Sequence, residues 1–321
     1  LAVAYGVEPE NVSFEIAENP FLRPYAHYLL GVLRTMARLQ KPTIEYFLGE
    51  TGPSGWWYYF PVSYLFKVPL AFHVMSFVAL IVVLFQAKKR LHSLSKENFK
   101  RWVQYHFTEF TMLLFIFLYL AGTMTSTLNY GVRYLLPIFP FLYILVGLGI
   151  KKFIREIPFP SLPGKIIVLG TLLGWYILSS LSVFPHYLSY YNELAGGSDN
   201  GYKISGHPNY DWGQDLKRLA KWVDSQGIQS IYLDFFGRAD PAYYLKDKYI
   251  PWRGSSWWAL YQFETDRPED FPKGNYLAVS ATFLAAGGWT EAPSVKRDYA
   301  WLDEYEPVAR AGKSIFIYYI E

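Results

Sequence analysis

Cysteine is absent from all 321 residues, so neither a disulfide scaffold nor a thiolate-ligated zinc centre is open to this chain. Charge is scarce too. Asp, Glu, Lys and Arg make up 18% of the sequence, against about 25% in an ordinary soluble domain. A net charge of +3 is too weak for a nucleic-acid-binding face, and nucleic acid is not an expected partner. P-loop and GxGxxG phosphate cradles are missing, as is any HExxH spacing, and no segment repeats at a fixed period. Aromatic surface, by contrast, is abundant: 28 Tyr, 24 Phe and 11 Trp form 20% of the chain, a composition that argues against disorder. The mean hydropathy of +0.07 is too low for a chain lying wholly in lipid. The arithmetic favours membrane spans joined to a water-facing part.

A bilayer core about 30 Å thick needs roughly 20 mostly apolar helical residues. Segments 68–85, 107–124, 134–150 and 166–184 approach that length and lack the regular polar positions of a soluble amphipathic helix. They predict four transmembrane helices. His73, inside the first, is expected to make a helix-packing hydrogen bond rather than to ligate anything, and Glu109 is assigned no role. Lys88, Lys89, Arg90, Lys96, Lys100 and Arg101 separate the first two spans, and Lys151, Lys152, Arg155 and Lys165 the last two. Only Arg133 lies between the second and third. The positive-inside rule then puts the first and third connections in the cytoplasm, with residues 1–66 and those beyond 186 on the outer side. The expected fold class is a multi-pass α-helical membrane protein followed by a small soluble α/β domain. Its regions are 1–66 (outer loops with an interfacial helix), 67–186 (four spans) and 187–321 (outer domain). The chain opens on Leu1 with no signal peptide after it, as expected of the C-terminal part of a longer membrane protein or of a processed chain.

In 24–40, Tyr25, Tyr28, Leu29, Val32, Met36 and Leu39 share one helical face, which predicts an amphipathic helix lying in the membrane interface or packed on other protein. Next, Glu50 and a Gly- and Pro-rich turn run into Trp56, Trp57, Tyr58, Tyr59 and Phe60. These rings suit an aromatic belt at headgroup level. They equally suit stacking on sugar rings, with Glu50 bonding hydroxyls. Beyond 200, helical spacing over 213–225, with Asp211 as a possible cap ahead of it, alternates with strand patterns at 229–235, 276–280 and 314–320.

Two cations stand out by position. Lys67 precedes the first span and Arg133 the third, at a depth that suits a lipid-linked phosphate or, failing that, snorkelling to headgroups. Arg133 offers the planar fork that grips two phosphate oxygens at once. The segment 186–215 is polar and aromatic, and its Asn192, Glu193, Asp211, Gln214 and Asp215 are candidate substrate contacts or else makers of turns and caps. Asp199 is a further carboxylate there. His186 and His207 lie on the same side without metal-ligand spacing, and no metal site is expected. Asn11 opens a glycosylation sequon that matters only in a eukaryotic secretory setting.

Gly49-Glu50 with Gly55-Trp56-Trp57-Tyr58-Tyr59-Phe60-Pro61, then Lys67 and Pro69, resembles an outer loop and the following span of bacterial GT-C class membrane glycosyltransferases. These are relatives of the protein O-mannosyltransferases and the lipid A aminoarabinose transferases. Gly131-Val132-Arg133-Tyr134-Leu135-Leu136-Pro137, running on into Phe139-Pro140-Phe141, is similar to their Gly-x-Arg-His/Tyr-Leu-Leu-Pro segment. The stretches 187–197 and 209–216 resemble the lead-in to the C-terminal outer domain of many bacterial members. The resemblance covers about 45–220. It implies an inverting transferase of the bacterial inner membrane that moves a sugar from a polyprenyl-phosphate donor to a hydroxyl on a protein, lipid or glycan acceptor. It further implies Arg133, with Lys67, at the donor phosphate; Glu50, Trp56, Trp57, Tyr58, Tyr59 and Tyr134 are candidate substrate contacts beside them. A divalent cation is the one cofactor left open. The family's acidic base lies upstream of Leu1, so no catalytic base is assigned and this length alone is expected to be inactive. The competing expectation is a non-enzymatic scaffold, or a transporter or flippase half, with a glycan-binding outer domain. A transporter should carry polar residues along its broken spans, and little that is polar accompanies Pro137 and Pro140.

Overall fold

A computed structural model describes residues 19–40, 45–52, 55–90, 96–158, 161–252, 271–286 and 299–321. The Leu1 opening and the Asn11 sequon lie outside these residues. Helix α1 (Arg23–Gln40) covers the predicted amphipathic segment. Ala26 is buried, while Tyr25, Tyr28 and Leu29 stay exposed, so the described part of its apolar stripe is uncovered. Strands β1 (Glu45–Phe47) and β2 (Glu50–Gly52) form a hairpin with Glu45 opposite Gly52. Helix α2 (Tyr59–Lys67) follows, and α3 (Leu70–Arg90) turns away from it by 110°. Then come α4 (Lys96–Tyr105), α5 (Phe107–Met124), a 3₁₀ turn (Val132–Ile138) that runs directly into α6 (Phe139–Glu156), and α7 (Leu162–Leu181).

Among the described residues, three helices are long and apolar enough to cross a membrane: Phe107–Met124, the continuous Val132–Glu156 and Leu162–Leu181. The bent pair of α2 and α3 makes a fourth if it counts as one span. Large apolar side chains such as Phe77, Leu84, Phe117, Ile167 and Leu178 point outward from these helices. Inside, Phe47, Tyr59 and Phe60 pack with Ile116, Leu135 and Ile138, so the hairpin and α2 share one core with the helices that follow. Val68, Phe72, Met75 and Leu172 form a second cluster lower down. At the crossing of α3 and α6, Gly149 lies so close to Ala79 that a Cβ on it would collide.

Several span limits differ from expectation, each for a local reason. The first span was expected to run straight from 68. Instead Val68 is extended (φ −101°, ψ 138°), as the residue before a proline tends to be, and the helix restarts at Leu70. The third starts as 3₁₀ around Pro137, and α6 places Pro140 in its first turn, where no N–H donor is needed. Lys151, Lys152 and Arg155, expected in a connection, lie on α6 itself. Lys165, also expected in that connection, is buried within α7. Its ammonium donates to the carbonyl oxygens of Ile154 (2.9 Å) and Ile157, the end of α6, where helix carbonyls lack partners and attract a cation. Gln86 donates to Glu156 at this same end, joining α3 to α6. The basic residues thus gather at one end of the helices, and Arg133 sits at the other.

The C-terminal region contains α8 (Leu216–Ser225), β3 (Ile231–Asp234), α9 (Pro241–Leu245), β4 (Tyr249–Pro251), β5 (Asn275–Ser280), α10 (Ala281–Ala286), β6 (Ala309–Ala311) and β7 (Ile315–Ile320). Among the described residues its five strands are ordered β4-β3-β5-β7-β6; β3 is parallel to β4 and β5, while β7 is antiparallel to β5 and β6. Side chains alternate across the sheet. Ile315 and Ile317 join Leu216, Leu219 and Val223 of α8 on one face. Phe316, Tyr318 and Ile320 meet Tyr191 and Tyr210 on the other. The second face is therefore covered by the segment that leaves α7. Asp211 does not cap α8 as expected: the cap position is Asp215, and Asp211 instead accepts from Gly213 N in a local turn (2.9 Å).

Candidate functional site

The segment 187–215 fastens the sheet region to the break between α2 and α3. Pro69 has no N–H, so the carbonyl of Leu65 loses its helical partner, and the bend frees the carbonyls of Phe66 and Val68 as well. Asn192 replaces them. Its side-chain amide donates to Leu65 O (2.6 Å) and Val68 O (2.8 Å), and its backbone N–H donates to Phe66 O (2.9 Å). His73 Nε2 also bonds Leu65 O at 3.1 Å, a helix-packing contact. Lys67 ends α2, and its ammonium donates to the carbonyls of Leu188 and Asn209 (2.8 Å each) over the ring of Tyr191 (4.5 Å). Lys67 was expected beside Arg133 as a second contact to the donor phosphate, or as a cation snorkelling to headgroups. The structure instead commits it to this clasp, because free carbonyls lie within reach of its stem.

The other candidates in this segment are also engaged by the fold. Glu193 accepts from Trp175 of α7 (3.0 Å). Gln214 accepts from Trp212 N (2.7 Å) and donates to Tyr210 O (3.0 Å). Asp215 is fully buried, takes Arg218 at 2.8 Å, and accepts from both backbone N–H groups of Lys313 and Ser314. Asp211 accepts from Thr282 Oγ1 (3.3 Å), and burial pushes its carboxyl up to about 7. Outside the cluster, Lys313 and Arg310 hold the carboxyl of Asp199 below the usual range, the Lys313 hydrogen bond being the larger cause. His186 lies 3.8 Å from Asp215, and burial lowers its pKa below the ordinary histidine value. Among the described residues no three His, Asp or Glu side chains gather as metal ligands.

Arg133 is arranged differently. It lies exposed at the start of the 3₁₀ turn, with its guanidinium over the rings of Trp212 (5.0 Å), Tyr134 (5.6 Å) and Tyr130 (6.0 Å). It makes no ion pair among the described residues. Gly131, at φ +88°, lets the chain turn here, and a Cβ on it would stand 2.8 Å from Asn209 Oδ1. That oxygen accepts from Val132 N (2.8 Å), and Asn209 Nδ2 donates to the Tyr59 hydroxyl (3.0 Å). Asn209 thus joins the Lys67 clasp to the Arg133 turn.

The aromatic run 56–60 divides. Tyr59 and Phe60 are core, Trp56 donates to Glu50 (3.3 Å), and Tyr58 packs by Phe47. Trp57 is 67% exposed, the ring of this run most open to a ligand.

Two polar residues here escaped sequence reasoning. Glu45 is only 3% exposed, and its Oε1 is buried without a hydrogen-bond partner among the described residues. Burial raises its pKa to about 8, and the nearby Arg133 opposes that rise. Asn129 is fully buried, with both amide atoms unpartnered among the described residues, against Gly55, where a side chain would overlap its amide. One signal existed: in Glu45-Tyr46-Phe47, alternation puts a carboxylate on the same strand face as a core phenylalanine.

Comparison of the chain with family models, curated proteins and solved structures finds no match.

Proposed function

We propose that this chain is part of a membrane glycosyltransferase that uses a polyprenyl-phosphate sugar, with Arg133 receiving the donor phosphate. The observation that carries this reading is an exposed guanidinium, walled by three aromatic rings and free of any ion pair among the described residues, at the end of the helices away from the basic cluster. Aromatic walls hold the fork in place and lower the local dielectric, which strengthens a phosphate contact without neutralising the cation beforehand. In this reading four helices span the bilayer, counting the bent α2–α3 pair as one. The basic end faces the cytoplasm, and the sheet region stands on the outer side of a bacterial inner membrane. The open stripe of α1 fits the membrane interface. In the transfer, the acceptor hydroxyl gives its proton to a base not assigned among the described residues, and its oxygen bonds the anomeric carbon as the bond to the phosphate oxygen breaks. Arg133 takes up the charge left on that phosphate.

The test is binding of undecaprenyl phosphate to the chain in nanodiscs. Arg133→Ala should weaken it about tenfold or more, as expected for loss of a charge-assisted bidentate contact, with Arg133→Lys intermediate. Equal affinity in Arg133→Ala would remove the phosphate from this site. A scaffold would show no saturable binding in any form.

A further inference from the structure

We propose that Glu45 and Asn129 form a polar slot beside Arg133 that receives hydroxyl groups of the sugar carried by the phosphate. This deepens, and rests on, the phosphate reading of Arg133.

Three observations place the slot. Glu45 Oε1 and both amide atoms of Asn129 are buried and have no hydrogen-bond partner among the described residues. Folded proteins rarely leave such groups orphaned, and clustered exceptions ask for an occupant. The two residues border one core: Phe47, on the strand face that Glu45 shares, packs with Leu135, and Asn129 abuts Gly55, whose φ of +64° and bare Cα make room for the amide. Arg133 is close enough to bias the ionisation of Glu45, and Tyr130, next to Asn129, forms one wall of the guanidinium site. Phosphate and slot therefore share one corner of the fold.

The chemistry of the orphans selects the occupant. A carboxyl oxygen accepts, while an amide both donates and accepts, the complement of neighbouring sugar hydroxyls. A second phosphate is disfavoured, since neither a carboxyl nor an amide brings the positive charge that a phosphate needs. A bare isoprenoid tail would leave all three atoms unsatisfied. Glu45 and Asn129 are thus specificity-determining contacts, and transfer of the acceptor proton is not asked of them.

The experiment uses the whole chain in nanodiscs with farnesyl phosphate and a panel of farnesyl-phosphate hexoses and pentoses as probes. Wild type should bind at least one glycosylated probe about tenfold more tightly than farnesyl phosphate. Glu45→Met and, separately, Asn129→Ala should erase that preference and leave the farnesyl phosphate affinity unchanged. Glu45→Gln, which keeps an accepting oxygen, should retain most of it. Absence of any sugar preference in wild type, or its survival in both Glu45→Met and Asn129→Ala, overturns the slot, while Arg133-dependent farnesyl phosphate binding would leave the phosphate reading standing. Loss of Arg133 dependence for every probe overturns both.

Discussion

Ionising Glu45 should destabilise the fold by an amount that can be worked out. Its carboxyl rises from 4.5 to about 8 on folding, mainly through burial. At about 1.4 kcal/mol per pH unit, full ionisation costs the native state roughly 4–5 kcal/mol relative to the unfolded chain. The sign follows from proton counting. Between pH 4.5 and about 8 the native state holds a proton that the unfolded state has released, so stability falls as pH rises through that window. Below it the term vanishes; above it the loss is complete. Glu45→Gln keeps the shape and removes the charge. Its amide adds a donor of its own, which offsets the whole curve by about 1–2 kcal/mol without bending it. Asp211, raised to about 7, and His186, lowered, titrate alike in both proteins and cancel in the difference. Urea unfolding in detergent, followed by tryptophan fluorescence from about pH 5 to about pH 9, should show wild type losing several kcal/mol against Glu45→Gln. Parallel curves across that range would refute the burial of an unpartnered carboxyl at 45.

Other consequences are equally open to measurement. Arg133→Ala removes the cation that opposes the rise at Glu45, so the midpoint of the same pH difference should move upward; an unmoved midpoint separates the two residues. Asn192→Ala strands the Leu65 and Val68 carbonyls and should cost about 2–4 kcal/mol in thermal or denaturant unfolding, with faster proteolysis near the α2–α3 bend. Gly131→Ala sets a Cβ at positive φ against Asn209 and should lower stability by about 1–3 kcal/mol; a neutral result would mean the turn is laxer than drawn. A reporter fused after Glu321 should be active on the outer side of the membrane, and a cytoplasmic signal would invert the proposed orientation.

The long apolar helices were legible because uninterrupted apolar runs such as that of α7 carry their own signal in composition and length. The break between α2 and α3 was legible only in part. Pro69 announced a boundary, yet nothing in the local sequence said that Asn192, more than a hundred positions away, would take up the freed carbonyls. The same distance misled the reading of Lys67 and Lys165. Position along the chain marked Lys165 as a loop cation and Lys67 as a cation at the outer mouth of the spans, whereas their stems reach carbonyls and bury. Sheet strands β5 and β7 were visible as β-rich runs, while the three-residue β4 and β6 fall below any periodicity. At the site, Arg133 stood out by its isolation between two apolar runs. Trp212 could not be paired with it from sequence, since that contact depends on tertiary folding. Glu45 was hidden by the ordinary assumption that a carboxylate in a short strand faces water.

The most direct measurement is a ³¹P NMR titration of undecaprenyl phosphate with the chain in nanodiscs. A guanidinium that seats the phosphate among Trp212, Tyr134 and Tyr130 should shift and broaden the phosphorus resonance in wild type and leave it unperturbed in Arg133→Ala. The same perturbation with and without Arg133 would contradict the account.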